Sequence, residues 1–259
     1  NEVARALATA LPSLTRLKRL YLDSNQIQFE GISALAAVFA HLTRLEVLSF
    51  SDNDLGARGF EVLAKALLPL SELRELCLDG NNIGDQEGAI ALAKVLPRFP
   101  RLQKLDLSRT FIGDNGVKIL ASVFANATSF PEFHELRLEA NQIGDKGVQS
   151  LADSLYCSRQ LRLLSLGANR IGNEGAERLA TVLKHLPKLK ALLLGRNLLE
   201  YQAVEALASA RVGHSELQQL ALEGNAITAE EVDAIFTAAY AERDVTQEEN
   251  KPDGDFQSR

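Results

Sequence analysis

The sequence predicts an α/β solenoid, a curved horseshoe of stacked strand–helix units with a parallel sheet on its concave face and helices on its convex face. Three observations carry this. The stretch Phe133 to Leu155 alternates apolar and polar residues through Leu136 and Leu138. It then places Val148, Leu151, Ala152 and Leu155 at helical spacing, so it reads strand, turn, helix. The same pattern recurs behind Leu17, Leu45, Leu73, Leu102, Phe133, Leu161, Leu189 and Leu217, at spacings of 28, 28, 29, 31, 28, 28 and 28 residues. One such unit leaves its flanks wet, so units must stack, and because helices are wider than strands the stack must curve.

Taken in order, the chain opens on Val3, Ala6, Leu7, Ala10 and Leu11, which match the helix half of a unit. It is therefore expected to begin inside a repeat, with more of the array preceding Asn1; the lack of any Met fits a processed product or part of a longer protein. Within a full unit, Leu164 and Leu166 point inward, Ile171 closes the turn, and Leu179 and Leu183 cover the strand from the helix. Asn25, Asn53, Asn81, Asn141, Asn169, Asn197 and Asn225 share one position, where a carboxamide can donate to and accept from turn backbone. Thr110 stands there in the fourth unit, so an irregularity is expected. Gly31, Gly59, Gly88, Gly116, Gly147 and Gly175 form a second column, replaced by Ala203 and Glu231 in the last two units, which points to close backbone approach. Asp145, just before Gly147, is expected to cap its own helix. Extra residues near Gln86-Glu87 and between Asn126 and Phe133 should bulge as loops. Thr228-Ala-Glu-Glu231 reads as a capping box opening a last helix through about Tyr240. Residues 1–240 thus form one repeat domain with incomplete first and last units. Residues 241–259, with six acidic against three basic residues, are expected to be a disordered tail.

The pattern L-x-x-L-x-L-x-x-N-x-I, as in Leu161-Arg-Leu-Leu164-Ser-Leu166-Gly-Ala-Asn169-Arg-Ile171, closely resembles the leucine-rich repeat over residues 1 to 240. The 28-residue unit with Gly-Asp-x-Gly and a full Leu-Ala-x-x-Leu helix resembles the ribonuclease-inhibitor-like subclass. That subclass is shared by ribonuclease inhibitor, tropomodulin and nucleotide-binding repeat receptors. The resemblance implies a leucine-rich-repeat solenoid with protein partners in signalling, cytoskeletal or innate-immune settings. Ran GTPase-activating proteins use the same repeat class with a functional Arg in a turn after an early strand. Ser51-Asp52-Asn53-Asp54-Leu55-Gly56-Ala57-Arg58 is loosely similar and would put Arg58 in that role. A structural subunit of a large assembly is a third reading.

Composition narrows the classes. The 259 residues are 46% hydrophobic and 24% charged, enough for a sizeable core. A net charge of −6 with scattered Lys and Arg argues against nucleic acid. No apolar run approaches the roughly 18 residues of a membrane span, and the first residues lack a secretion signal's hydrophobic stretch. Cys77 and Cys157 sit at unrelated points of the repeat, so free thiols in a reducing compartment and an intracellular, cytoplasmic setting are expected. His41, His134, His185 and His214 lie in different units, with His41 and His185 near helix ends where solvent is expected. No ligand spacing or phosphate-cradling loop recurs, so no catalytic residue, metal or cofactor is expected. Asn126-Ala-Thr fits the glycosylation acceptor pattern but lacks the secretion signal that would use it.

The function expected is a non-enzymatic scaffold binding a protein partner on the concave sheet. The side chains that alternate with the buried leucines should face it. These are Arg19, Tyr21 and Asp23; Glu75 and Asp79, flanking Cys77; Lys104, Asp106 and Arg109; Glu135, Arg137 and Glu139; and Leu163, Leu193 and Arg196. The early units are charged and the later ones more apolar, which suits polar pairing at one end and an apolar anchor at Leu163 and Leu193 at the other.

Overall fold

The computed structural model describes residues 2–126 and 130–249, with side chains through 241. Its elements alternate as the repeat requires: α1 (Glu2–Ala10), β1 (Arg19–Tyr21), α2 (Phe29–Leu35), β2 (Val47–Ser49), α3 (Gly56–Ala66), β3 (Glu75–Cys77), α4 (Glu87–Val95), β4 (Lys104–Asp106), α5 (Asp114–Phe124), β5 (Glu135–Arg137), α6 (Asp145–Leu155), β6 (Leu163–Ser165), α7 (Asn173–Leu183), β7 (Ala191–Leu193), α8 (Tyr201–Val212), β8 (Gln219–Ala221) and α9 (Ala229–Glu249). The eight strands form one parallel sheet in sequence order. Register advances by one unit per strand, so Leu48 lies beside Leu20 and Leu76, and Leu164 beside Leu136 and Leu192. Strands pack about 4.8 Å apart and helices 8–10 Å apart, so the sheet lines the inside of the arc.

One core runs the length of the array between sheet and helices. Ile27, Ile83, Ile112, Ile143 and Ile171 are fully buried where the chain turns away from the sheet. Each such side chain contributes on the order of 2–3 kcal/mol.

The turns are closed by neighbours. Asn141 is fully buried. Its Nδ2 donates to the Leu107 carbonyl of the preceding unit at 2.6 Å, and its Oδ1 accepts the N–H groups of Thr110 and Ile112 at 2.9 and 3.2 Å. Asn53, Asn169, Asn197 and Asn225 repeat this arrangement, each accepting from the unit before and donating to carbonyls in both units. Thr110 interrupts the ladder as its shorter side chain requires. Its hydroxyl does not reach back to the third unit; it bonds the Leu107 carbonyl of its own turn at 2.5 Å and Asn141 Oδ1 of the next unit at 3.1 Å. The N–H of Ile83 is met instead by the Thr110 backbone carbonyl at 3.1 Å.

A second ladder joins the helices. Asp145 does not cap its own helix: Gly144, which has no side chain to offer, is the N-cap residue there. Its Oδ1 instead accepts the N–H groups of Gly172 and Gly175, at 2.7 and 3.0 Å, at the start of the next helix. Asp85 does the same for Gly113 and Gly116, and Asp114 for Gly144 and Gly147. A carboxylate on free N–H groups at the positive end of a helix dipole is well placed. This explains the later glycines of the column, because a Cβ on Gly147 would lie 2.5 Å from Asp114 Oδ1 and one on Gly175 would lie 2.6 Å from Asp145 Oδ1, whereas one on Gly88 would instead meet Ile83.

Other expectations are corrected or sharpened. Helix α1 buries Ala4 and half-buries Leu7 and Ala8, with Leu11 buried in the turn that follows, while Val3, Ala6 and Ala10 face solvent, so its apolar stripe is rotated from the one expected. The capping box is present, with Glu231 N–H donating to Thr228 Oγ1 at 3.2 Å and Thr228 N–H to Glu231 Oε2 at 2.9 Å. Helix α9 continues past the boundary expected at Tyr240 to Glu249, a stretch rich in helix-favouring Glu, Ala and Gln; residues 250–259 lie outside the described residues. The extra residue of the third unit forms a turn through Gln86, after which α4 runs only from Glu87 to Val95. The longer insertion ends packed rather than bulging: Phe130 lies 6.0 Å, ring centre to ring centre, from both Phe124 and Phe133 and is buried. The glycosylation pattern falls partly on 127–129, outside the described residues.

The inter-unit cap yields a double-mutant test. Gly147→Ala should destabilise the protein by about 1–3 kcal/mol through overpacking, and Asp114→Ala by about 1 kcal/mol through loss of the cap. Urea unfolding of the double variant should show less than the sum, because removing the carboxylate opens the space the new methyl needs.

Candidate functional site

The concave face carries three rows of side chains, two from the strands and one from the residues just beyond them. Strand exits take a left-handed turn, with φ of 51° at Asp52, 56° at Arg109 and 57° at Arg196, in the place that Gly80 and Gly224 also fill. This turn projects charged groups along the rim of the sheet.

In the first five units these charges bind one another. Arg109 reaches back across two units, to Asp79 at 2.8 Å and Asp52 at 2.9 Å. Hydrogen bonds to Asp52 and Asp79 hold its guanidinium more firmly protonated than usual. Asp79 also accepts from Ser51, and Asp23 accepts from Ser49 and, at 2.9 Å, from the Ser51 N–H. One strand over, Glu135 pairs with Arg137 at 2.6 Å and with Lys104 at 3.4 Å, and Arg137 stands 4.0 Å from Asp106. Burial alone would raise the Glu135 carboxyl, but Arg137 and Lys104 outweigh it and lower it. Burial likewise opposes the Arg137 charge, and Glu135, Asp106 and Glu139 together outweigh it, so its guanidinium is held more firmly protonated than usual. Asp106 goes the other way, pushed up chiefly by burial.

The candidate residues therefore divide. Asp23, Asp79, Lys104, Asp106, Arg109, Glu135, Arg137 and Glu139 are engaged within the sheet, the last accepting from the Ser165 hydroxyl. Arg19, Glu75 and Arg196 make no ion pair among the described residues, and Tyr21 is 59% exposed on the edge strand. Leu163 and Leu193 are half-buried on the face, as an anchor would be.

In the sixth and seventh units the third row is empty. Gly167 and Gly195 stand where the other units carry Asp, Ser or Glu, and a recess of about 320 Å³ opens there, walled by Glu139, Leu193, Arg196, Gln219 and Glu223. Sequence reasoning placed Leu193 and Arg196 on this face but missed the recess. The signal was the pair of glycines at positions that otherwise hold side chains.

Other groups named from the sequence are structural or solvated. Arg58 is not in a turn: Gly56, at φ 61°, starts α3, so Arg58 lies in its first helical turn, exposed and without an ion pair among the described residues. His214 bridges turns, contacting the Leu186 carbonyl at 2.9 Å and accepting the Leu217 N–H at 3.1 Å. His185, expected in solvent, is half-buried with its ring 4.5 Å from that of Tyr156. Among the described residues no three His, Cys, Asp or Glu are grouped to hold a metal ion, and no helix is long and apolar enough to cross a membrane. Cys77 and Cys157 are free thiols.

The geometry defines a leucine-rich-repeat solenoid: short parallel strands, one per unit, closed by an asparagine ladder and backed by helices. Comparison with known proteins agrees with this fold: the leucine-rich repeat family model matches residues 13–36, 41–64, 101–121, 133–152 and 157–180. Among solved structures the chain is similar to internalin C2 from Listeria monocytogenes, with 22% identity, a TM-score of 0.57, and coverage of 89% of this chain and 88% of that one. No curated protein matches.

Two solution tests follow from the face itself. Because the folded Asp106 pKa is raised, the cost of its charge is absent below the ordinary aspartate pKa and appears as pH rises through the folded value. Asp106→Asn should therefore raise the urea midpoint at neutral pH and leave it unchanged in acid. Burial pushes the Cys77 thiol up to about 11, whereas Cys157 is exposed. Brief iodoacetamide treatment near neutral pH, read by peptide mass mapping, should therefore label Cys157 well ahead of Cys77.

Proposed function

We propose that the chain is a non-enzymatic protein-binding scaffold that holds a protein partner on the later half of its concave sheet. The recess floored by Gly167 and Gly195 carries this reading. There the sheet offers shape, an apolar wall at Leu193 with Leu163 beside it, and charges on Arg196 and Glu223 that make no ion pair among the described residues. A central apolar anchor with a polar rim is the usual anatomy of a binding face. The earlier units are less available for affinity, because a partner must break the Arg109–Asp79 and Glu135–Arg137 pairs or accept them intact; they serve better to reject partners of the wrong charge pattern. A full helix in most 28-residue units supports the ribonuclease-inhibitor-like subclass, and the two free thiols suit a reducing, intracellular setting.

Affinity purification with mass spectrometry tests the reading directly. Leu193→Asp should reduce capture of a specific partner by roughly ten-fold or more, as expected for loss of a central anchor, with the circular dichroism spectrum unchanged. Equal capture by wild type and Leu193→Asp would remove the concave face from the account.

A further inference from the structure

We propose that the outer groove between α3 and α4 is a second docking site, for an amphipathic helix of another protein running antiparallel to these two helices. The first observation is a break in the internal repeat. The solvent-facing position held by Ile90 is occupied by Ser33, Glu61, Lys118, Gln149, Glu177 and Glu205 in α2, α3 and α5 to α8, all exposed and all polar. Ile90 alone of these is apolar, and it is 41% exposed. With Ala89, Leu92 and Val95 turned inward, α4 carries an apolar side chain, Ile90, on its outer face as well, set between the exposed Glu87 and Lys94.

The second observation is shape. Leu68, which is 46% exposed, faces Ile90 across a groove of about 470 Å³ whose floor is Ala64, Ala91 and Val95. A groove between two parallel helices takes a third by packing ridges into it.

Charge fixes the occupant and its direction. Glu61 is neutralised by Lys65 at 2.7 Å. That leaves Glu87 at the N-terminal end of the groove and Lys94 and Arg98 at the C-terminal end, none in an ion pair among the described residues. A complementary helix carries carboxylates where it meets Lys94 and Arg98 and a base where it meets Glu87. Carboxylates are best accommodated in a helix's first turn and bases in its last, so its N-terminus lies over the C-terminus of α4.

The probe is a pair of hydrocarbon-stapled, fluorescein-labelled peptides with leucines at i, i+4 and i+7. One carries Glu in the first turn and Lys in the last; the other has these charges exchanged. By fluorescence anisotropy the first should bind roughly ten-fold tighter than the second. Ile90→Glu should weaken it roughly ten-fold or more with an unchanged circular dichroism spectrum, since Glu already occupies this position in α3, α7 and α8. Lys94→Glu with Arg98→Glu should reverse the preference, and the concave variant Leu193→Asp should leave binding unaltered. Equal binding of both peptides, or full binding by Ile90→Glu, would overturn the proposal. So would a dimer in sedimentation velocity that Ile90→Glu dissolves, which would make the occupant a second copy of the chain.

Discussion

No unit of this protein can satisfy its own turn. When the chain leaves the sheet, the N–H groups at positions such as Thr110 and Ile112 are buried with no strand to pair with, and only the carboxamide of the next unit, Asn141, reaches them. Leaving one such group bare costs about 1–3 kcal/mol, comparable with burying a core side chain. The leucines supply most of the driving force, but they would tolerate sliding; the carboxamide, with donors and an acceptor set by geometry, does not. Uniform register along eight strands follows from that requirement.

The aspartate–glycine contacts impose the same discipline on the helices. Asp114 and Asp145 each hold the start of the following helix, and the glycine opposite is the room the carboxylate occupies. Sheet and helix layers are therefore tied between units at two heights, on either side of the core. Three departures lie close together. Thr110 drops out of the asparagine row, Gln86 adds a turn, and α4 is shortened with Ile90 facing outward. The middle of the array is where the pattern yields to something other than repetition.

Much of this was legible in the sequence because a repeat reads the same features several times over. Leu136, Leu164 and Leu192 declare the strands by period, and the asparagine column declares its bonding by chemistry. What stayed hidden depends on distances between units. Asp145 sits at the start of one helix in sequence, yet its carboxylate reaches the start of the next, which only inter-unit spacing decides. The phase of α1 was misread because Ala4, Ala6, Ala8 and Ala10 give an alternating small-residue pattern that suits more than one face. Charges on the concave face were visible, but their mutual pairing was not, since Arg109 finds Asp52 from 57 residues away. The recess escaped notice because it is made of missing side chains.

Arg109 has a further consequence. It belongs to the same unit as Thr110 and lies across the joint where the carboxamide row is interrupted, clasping two earlier units from the rim. A linear array parts at its weakest junction, and here that junction is bridged by an exposed ion pair whose strength falls as salt is added. Added salt therefore loosens this clasp on the rim sooner than it touches the buried carboxamide contacts that close the other turns.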